Sequence, residues 1–456
     1  MEPLVVIFGS TGTGKSDLAV ELATQFNGEI INADAMQMYK GLPIITNKIT
    51  VDEQRGVPHH LLGNIELDAD PWSVMEFRRE ATRIISEIHA RGKLPIVVGG
   101  SAYYIDGLLF DNRLVKGETP PEADGQTREE LVAKHPILAG SAEAMLEKLR
   151  EVDPIMADRW HPNDVRKIRN SLEIFFTTGR RASDIYAEQR IQKQSRWASP
   201  DSEPVQKPWK LLLFWLYARR DALNDRLDKR VDKMVANGLL DETAELYDRY
   251  LTRVASGEIV DRTRGIVQSI GFWQFEPYLH ALRQTPQRPD LAMLKQTGIE
   301  DTKTGTRRYA KYQVRWITMK TMTSLQEEKI LNKLYLLDGT NVKTWHSEVA
   351  AKGVELTRKF LAGEQLPQPV DMSETARDVL ALKVAESNRS ATPCNKACDV
   401  CKKTFLTEES WQIHMSSKKH AKELRALKKT ALTVFTPKEP QRLLTKSTTG
   451  SSRKTP

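Results

Sequence analysis

The chain has 456 residues, 40% of them hydrophobic, with 68 Lys and Arg against 60 Asp and Glu for a net charge of +8. That is enough for two or three domains with a sizeable core, and no apolar run reaches the roughly 18 to 20 residues of a membrane span. Met1-Glu2-Pro3-Leu4 leads straight into a strand pattern, so no signal or transit peptide is expected; the three cysteines, Cys394, Cys398 and Cys401, crowd together, which argues against a disulfide framework and for a reducing compartment.

The first element is a strand. Val5 to Phe8 are a short apolar run of the kind buried in a parallel sheet, and Gly9, Ser10, Thr11, Gly12, Thr13 and Gly14 then supply backbone that can curl round an anion with its amides inward. Lys15 and Ser16 complete the pattern G-x-x-x-x-G-K-[ST], in which the lysine reaches terminal phosphates and the hydroxyl is offered to a Mg²⁺ ion at the start of a helix. Leu18, Leu22 and Phe26 mark the buried face of that helix. A glycine-rich turn can be only a turn, but the Lys-Ser pair in register favours a polyphosphate, without saying which.

Three later segments repeat the strand-then-turn pattern. "GEIINADAMQMY" runs through Ile31 and ends at Asp34; "KLPIVVGGSAYYIDGLL" runs from Pro95 to Val98 into Gly99-Gly100-Ser101; "WKLLLFWLYARR" runs from Leu211 to Tyr217 into Arg219 and Arg220. Between them lie helical patterns, such as 73 to 91 with Ser73 and Glu76 as a capping box and Phe77, Ala81, Ile84 and Ile88 on one face. Another helix follows Arg220, with Leu223, Leu227, Val231 and Met234 on one face. Alternation of this kind predicts a parallel sheet covered by helices on both faces, with ligands at the carboxyl ends of its strands. Asp34 at such an end can take a proton from a nucleophile, although an aspartate there also serves to cap a turn. Arg220 can clamp phosphate in a bidentate way, although most helix arginines are merely solvated.

Residues 115–205 break this rhythm and read as a helical insertion of mixed charge, ending in the polar "SRWASPDSEP". In "TRRYAKYQVRW", 306–316, Arg307, Arg308, Lys311 and Arg315 interleave with Tyr309, Tyr312 and Trp316, which suits phosphate contact beside base stacking. Pro367 to Asp371 read as a linker. Cys398, Cys401, His414 and His420 then follow the pattern C-x2-C-x12-H-x5-H, the spacing of a tetrahedral Cys₂His₂ site for structural Zn²⁺, with Phe405 and Trp411 as a small core. Cys394 falls outside that set. The tail 428–456 holds seven Lys and Arg against one Glu and reads as disordered.

Eight segments in this order resemble the tRNA dimethylallyltransferase (tRNA isopentenyltransferase) family in the eukaryotic form that carries a C-terminal finger: "GSTGTGKSDLAVELA", "GEIINADAMQMYKGLPIITNK", "GVPHHLLG", "KLPIVVGGSAYYIDGLL", "DVRKIRNSLEIFFTTGR", "RVDKMVANGLLDE", "IVQSIGFWQF" and "TRRYAKYQVRW". The resemblance covers about residues 4 to 346. It implies a P-loop-type α/β catalytic core, 1–114 and 206–346, a helical insertion that clasps the anticodon stem, a helix and linker at 347–393, a finger at 394–427 and the basic tail. It implies that the loop holds dimethylallyl diphosphate and that the acceptor is N6 of the adenosine 3′ of the anticodon. Asp34 would be the general base, with Thr11 and Ser101 near the reacting centre and Arg220 on the diphosphate. Ala35, Met36 and Gln37 would meet the flipped base. Arg166, Lys167, Arg169 and Asn170 would face RNA, although each also fits a solvated helix face. Ser10 and the run Ser101-Ala102-Tyr103 depart from the family's usual residues. The histidine spacing resembles RNA-associated fingers of the matrin type, so finger and tail are expected to add RNA affinity. The expected protein is a cytoplasmic monomer, with mitochondrial and nuclear pools compatible. The competing readings are an adenylate isopentenyltransferase or nucleotide kinase on the same scaffold, and an RNA-binding protein with a vestigial site.

Overall fold

The computed structural model describes residues 1–110, 128–197 apart from 161 and 163, 208–387 apart from 259 and 285–288, and 392–434 apart from 402. These form two compact units: Met1–Ala123 with Tyr186–Arg389, and Asp124–Ile185 with Ser390–Pro456.

The first unit is built on six strands, β1 (Glu2–Gly9), β2 (Gly28–Asn32), β3 (His59–His60), β4 (Leu94–Gly99), β5 (Trp209–Tyr217) and β6 (Leu334–Asp338). They lie in the order β3-β2-β4-β1-β5-β6, and every pairing is parallel. Strand β1 sits between β4 and β5, with Val6 opposite Val97 on one side and Leu213 on the other. Its side chains alternate between two apolar layers: Leu4, Val6 and Phe8 enter one, Val5 and Ile7 the other. A central strand buried on both faces must be apolar throughout, which is why this run shows no polar alternation. The helix Lys15–Gln25 supplies Leu18 and Leu22 to the second layer, and the helix Val74–Ala90 supplies Phe77, Ala81, Ile84 and Ile88 to the first. Ser73 caps the latter helix in the expected reciprocal box with Glu76.

Residues after 347 complete this unit instead of leaving it. The helix Lys352–Ala362 places Leu356 and Phe360 in the second layer, and Ala376 and Leu380 of the helix Glu374–Ser387 join the first. The expected linker is ordered: Pro369–Asp371 is a 3₁₀ turn with Pro369 buried, and Thr375 Oγ1 donates to Asp338 Oδ2 at 2.6 Å. Its prolines therefore shape a turn onto the sheet edge.

The second unit contains the helices Ala142–Val152, Pro154–Arg159 and Val165–Thr178, packed through Met145, Leu149, Met156, Ile168 and Leu172. The buried Asp153 carboxylate joins two of its segments, accepting from Met156 N at 3.2 Å and Ser183 N at 2.9 Å. An antiparallel pair, β7 (Pro393–Cys398) and β8 (Lys403–Thr407), precedes the helices Glu408–Met415 and Lys418–Val434. The helix 154–159 lies against β8, so insertion and finger share one unit. The last helix covers 428–434, which the composition assigned to a disordered tail; 435–456, like 115–127 and 198–205 of the insertion, lie outside the described residues. Among the described residues no helix is long and apolar enough to cross a membrane.

Candidate active site and metal centre

The loop Gly9–Ser16 leaves the carboxyl end of β1. A Cβ on Gly9 would lie 2.3 Å from the carbonyl oxygen of Leu216 on β5, so only glycine lets the loop start this close to its neighbour. Thr13 Oγ1 and Lys15 Nζ both donate to Ser10 O, at 2.9 and 2.8 Å. Burial pushes the Lys15 ammonium down to about 8, against the pull of Asp34 and with the repulsion of Arg230. Ser16 follows in the first turn of the helix, half-buried.

Asp34 ends the segment after β2. Its Oδ1 accepts the amide of Met36 at 3.1 Å, so it does close a local turn. The other oxygen, Oδ2, faces Gly100 beyond β4: a Cβ there would sit 3.3 Å from it. One oxygen thus holds backbone, as the turn reading expects, and the other lies against the Gly99-Gly100-Ser101 turn. Burial raises its pKa above the usual carboxylate value, while Lys15, the Met36 and Gln37 amides and Arg230 oppose the rise. The neighbours are pinned as well: Ala35 N donates to Ser101 Oγ at 3.0 Å, Ser269 Oγ to Met36 Sδ at 3.4 Å, and Gln37 Nε2 to Asn47 O at 3.1 Å. Glu242 accepts the amides of Ile44 and Ile45 and fixes the following loop.

The arginine that reaches the Gly9–Ser16 loop is Arg230, while Arg220 makes no contact with it among the bonds described. Arg220 opens the helix Arg220–Ala236 and is exposed, whereas Arg230, further along the same helix, donates to Thr11 Oγ1 at 2.8 Å and is drawn toward Asp34. Burial lowers its pKa to about 10. Proximity in sequence to a strand end favoured Arg220, but the helix axis carries later turns over the loop, and only the phase of Leu223, Leu227 and Val231 could have signalled which arginine faces inward.

Sequence reasoning also missed Gln313. Its buried side chain accepts Thr11 N at 2.8 Å and donates to Gly100 O at 2.9 Å, joining the phosphate loop to the Gly99-Gly100-Ser101 turn. A Cβ on Gly100 would meet Gln313 Nε2 at 2.6 Å. Tyr309, one turn earlier on the helix Leu291–Trp316, bonds to Gln313 and Ser101. Both lie in the segment read for RNA contact, where basic residues masked their inward direction.

These pKa shifts set an expected pH profile. Asp34 must be ionised to accept a proton, so kcat/KM for an anionic donor should rise as pH passes above its raised pKa. It should fall again above about 8, where the free enzyme loses the Lys15 charge. Initial rates from pH about 5 to about 10 test this, and a profile flat through the upper half would show that Lys15 keeps its proton.

The other expected RNA contacts fall in two places. Arg307 is tied to Asp228 and donates to Thr304 Oγ1 at 3.0 Å, bracing two helices, while Lys311 is exposed. In the second unit Arg166 and Lys167 are exposed and Arg169 and Asn170 half-buried. Lys167 pairs with Asp164 at 2.6 Å and lies 5.0 Å over the Trp160 ring.

The ligand atoms of Cys398, Cys401, His414 and His420 lie within 4.8 Å of one another. Both cysteine sulfurs are 3.5 Å from His420 Nδ1. A tetrahedron with Zn–S about 2.3 Å and Zn–N about 2.0 Å has edges of about 3.5 Å, so the set fits zinc. His414 Nε2 is buried with no hydrogen-bond partner among the described residues, as a ligand nitrogen would be. Phe405 stacks on His414 at 4.4 Å and meets Trp411 at 5.8 Å, which is the expected apolar core. Cys398→Ser is expected to abolish zinc binding and unfold the finger, since so small a core does not stand without its metal. The melting transition of the sheet unit should not move; a shift of several degrees would show that the finger supports it.

Fold and sequence pattern together define an enzyme of the phosphate-loop α/β class, with the Gly9–Ser16 loop and Asp34 both at carboxyl ends of the sheet's strands. The chain belongs to the IPP transferase family, whose model matches residues 37–320. A second family, described as zinc-finger double-stranded RNA-binding, matches residues 395–421. A Schizosaccharomyces pombe protein named tRNA dimethylallyltransferase is 37% identical, over 94% of this chain and 97% of its own. A Homo sapiens protein of that name is 35% identical, over 93% and 86%. A solved structure of a eukaryotic dimethylallyltransferase acting on tRNA is 31% identical with a TM-score of 0.72, covering 95% of this chain and 99% of that one.

Proposed function

We propose that this chain transfers the dimethylallyl group of dimethylallyl diphosphate to N6 of the adenosine 3′ of the anticodon in tRNA, giving N6-isopentenyladenosine and diphosphate. The observation that carries this is the single buried junction in which Gln313 ties the anion loop to the turn beside Asp34, so that a diphosphate and a proton-releasing nucleophile meet. As N6 bonds to C1 of the dimethylallyl group, the C1–O bond breaks and its electron pair leaves on diphosphate. Lys15, Arg230 and the loop amides stabilise that growing charge, and Asp34 Oδ2 takes the N6 proton. One hydroxyl, Ser16, together with the diphosphate's own oxygens is a donor set suited to Mg²⁺, which would add charge neutralisation when bound. Met36 and Gln37 line the path of the flipped base. Arg166, Lys167, Arg169, Asn170 and Lys311 are assigned to RNA phosphates, and the finger to RNA affinity. Incubation with labelled dimethylallyl diphosphate and either bulk tRNA or AMP tests the reading: label in tRNA supports it, label in AMP makes the chain an adenylate transferase, and stabilisation by ATP in place of the prenyl diphosphate makes it a kinase.

A further inference from the structure

We propose that Tyr103, Trp316 and Tyr312 form a stacking shelf for a nucleobase adjacent to the one that reacts; the assignment rests on the tRNA reading above. Tyr103 is 42% exposed and Tyr312 54% exposed, a large aromatic area to leave in water. Tyr103 meets the Trp316 ring edge-on at 6.1 Å, and Tyr312 tilts against it at 5.9 Å. The shelf is held from beneath. Asp106, only 1% exposed, accepts from Trp316 Nε1 at 2.9 Å and from Thr321 Oγ1 at 2.7 Å, spanning the π-helical turn Ile317–Thr321. Tyr103 and Asp106 are one turn apart on the helix Ala102–Leu109, so both act on Trp316 from one element.

Its place and charge indicate the occupant. Tyr103 is two residues from Ser101, which holds Ala35, and Trp316 is three from Gln313, which holds the phosphate loop. At roughly 100° per residue, Lys311, Arg315 and Arg308 fall in one arc of the helix 291–316, Tyr312 and Trp316 in the next, and Tyr309 and Gln313 beyond them. Arg308, Lys311 and Arg315 are exposed, and no Asp or Glu occurs between Asp301 and Glu327. A cationic stripe beside an aromatic one suits backbone phosphate followed by a stacked base, and it disfavours an apolar protein partner.

The test is a cycle on an anticodon stem-loop RNA in which each nucleotide flanking the reactive adenosine is replaced in turn by an abasic one. For the wild type, one of the two replacements should weaken RNA binding and raise its KM roughly tenfold. The Tyr103→Ala/Tyr312→Ala variant should show the same loss on intact RNA and little further loss on that abasic RNA. Its kcat and its KM for dimethylallyl diphosphate should hold, and the corresponding Phe variant should behave as wild type. Losses that multiply, an unchanged RNA affinity in the Ala variant, or a fall in kcat with affinity intact would each overturn the shelf. Fluorescence anisotropy of labelled RNA reads the same cycle without chemistry, so absence of transfer would sink the proposed function while the shelf is still judged by binding.

Discussion

Asp34→Asn is expected to lower turnover roughly 10²- to 10⁴-fold while leaving tRNA affinity nearly intact, the usual effect of losing a general base. The substitution is informative because an asparagine oxygen can still accept the Met36 amide, so the turn survives while proton acceptance and the negative charge are removed. A second consequence follows from charge. Asp34 pulls the Lys15 pKa upward against burial, so without it Lys15 should lose its proton below its present value of about 8. Residual activity should therefore fade at lower pH than in the wild type. Turnover within tenfold of wild type would remove Asp34 from the chemistry.

Arg230→Ala should cost kcat/KM for the diphosphate donor roughly 10²- to 10³-fold, as expected when a donor aimed at developing charge is lost. Part of that loss is geometric, because Thr11 Oγ1 gives up its partner. Arg220→Ala, an exposed position at the start of the same helix, should stay within about threefold, since exposed charges act weakly. Equal losses in the two variants, measured with saturating tRNA, would contradict the assignment of the clamp.

The contrast between these arginines shows where sequence reasoning reaches its limit. Local signals were legible: the β1 run, the G-x-x-x-x-G-K-S loop, the Ser73–Glu76 box and the cysteine-histidine spacing each depend on residues close in the chain, and each formed as expected. What remained hidden depends on distant partners. Gln313 touches Thr11 across 302 positions and Arg230 touches it across 219, and neither residue carries a mark in its own neighbourhood. The Pro367–Asp371 stretch misled for the same reason: its composition suits a linker, and only the arrival of Thr375 at Asp338 makes it part of the sheet edge.

The position of β1 also governs how the chain is made. Its two partners, β4 and β5, are separated by more than a hundred residues, and the sheet is not closed until β6 emerges. At ribosomal speeds of about 5 to 20 residues per second, a strand translated first waits roughly 20 seconds to a minute for the last member of its sheet. Until β5 emerges Leu4 to Phe8 keep at least one unpaired, fully apolar edge, and from then until β6 arrives the open edge is that of β5, the kind of surface that chaperones bind and that seeds aggregation. A premature stop between β5 and β6 would leave Trp209–Tyr217 as a permanent open edge, so nascent chains truncated there should partition into inclusions while the full-length chain does not.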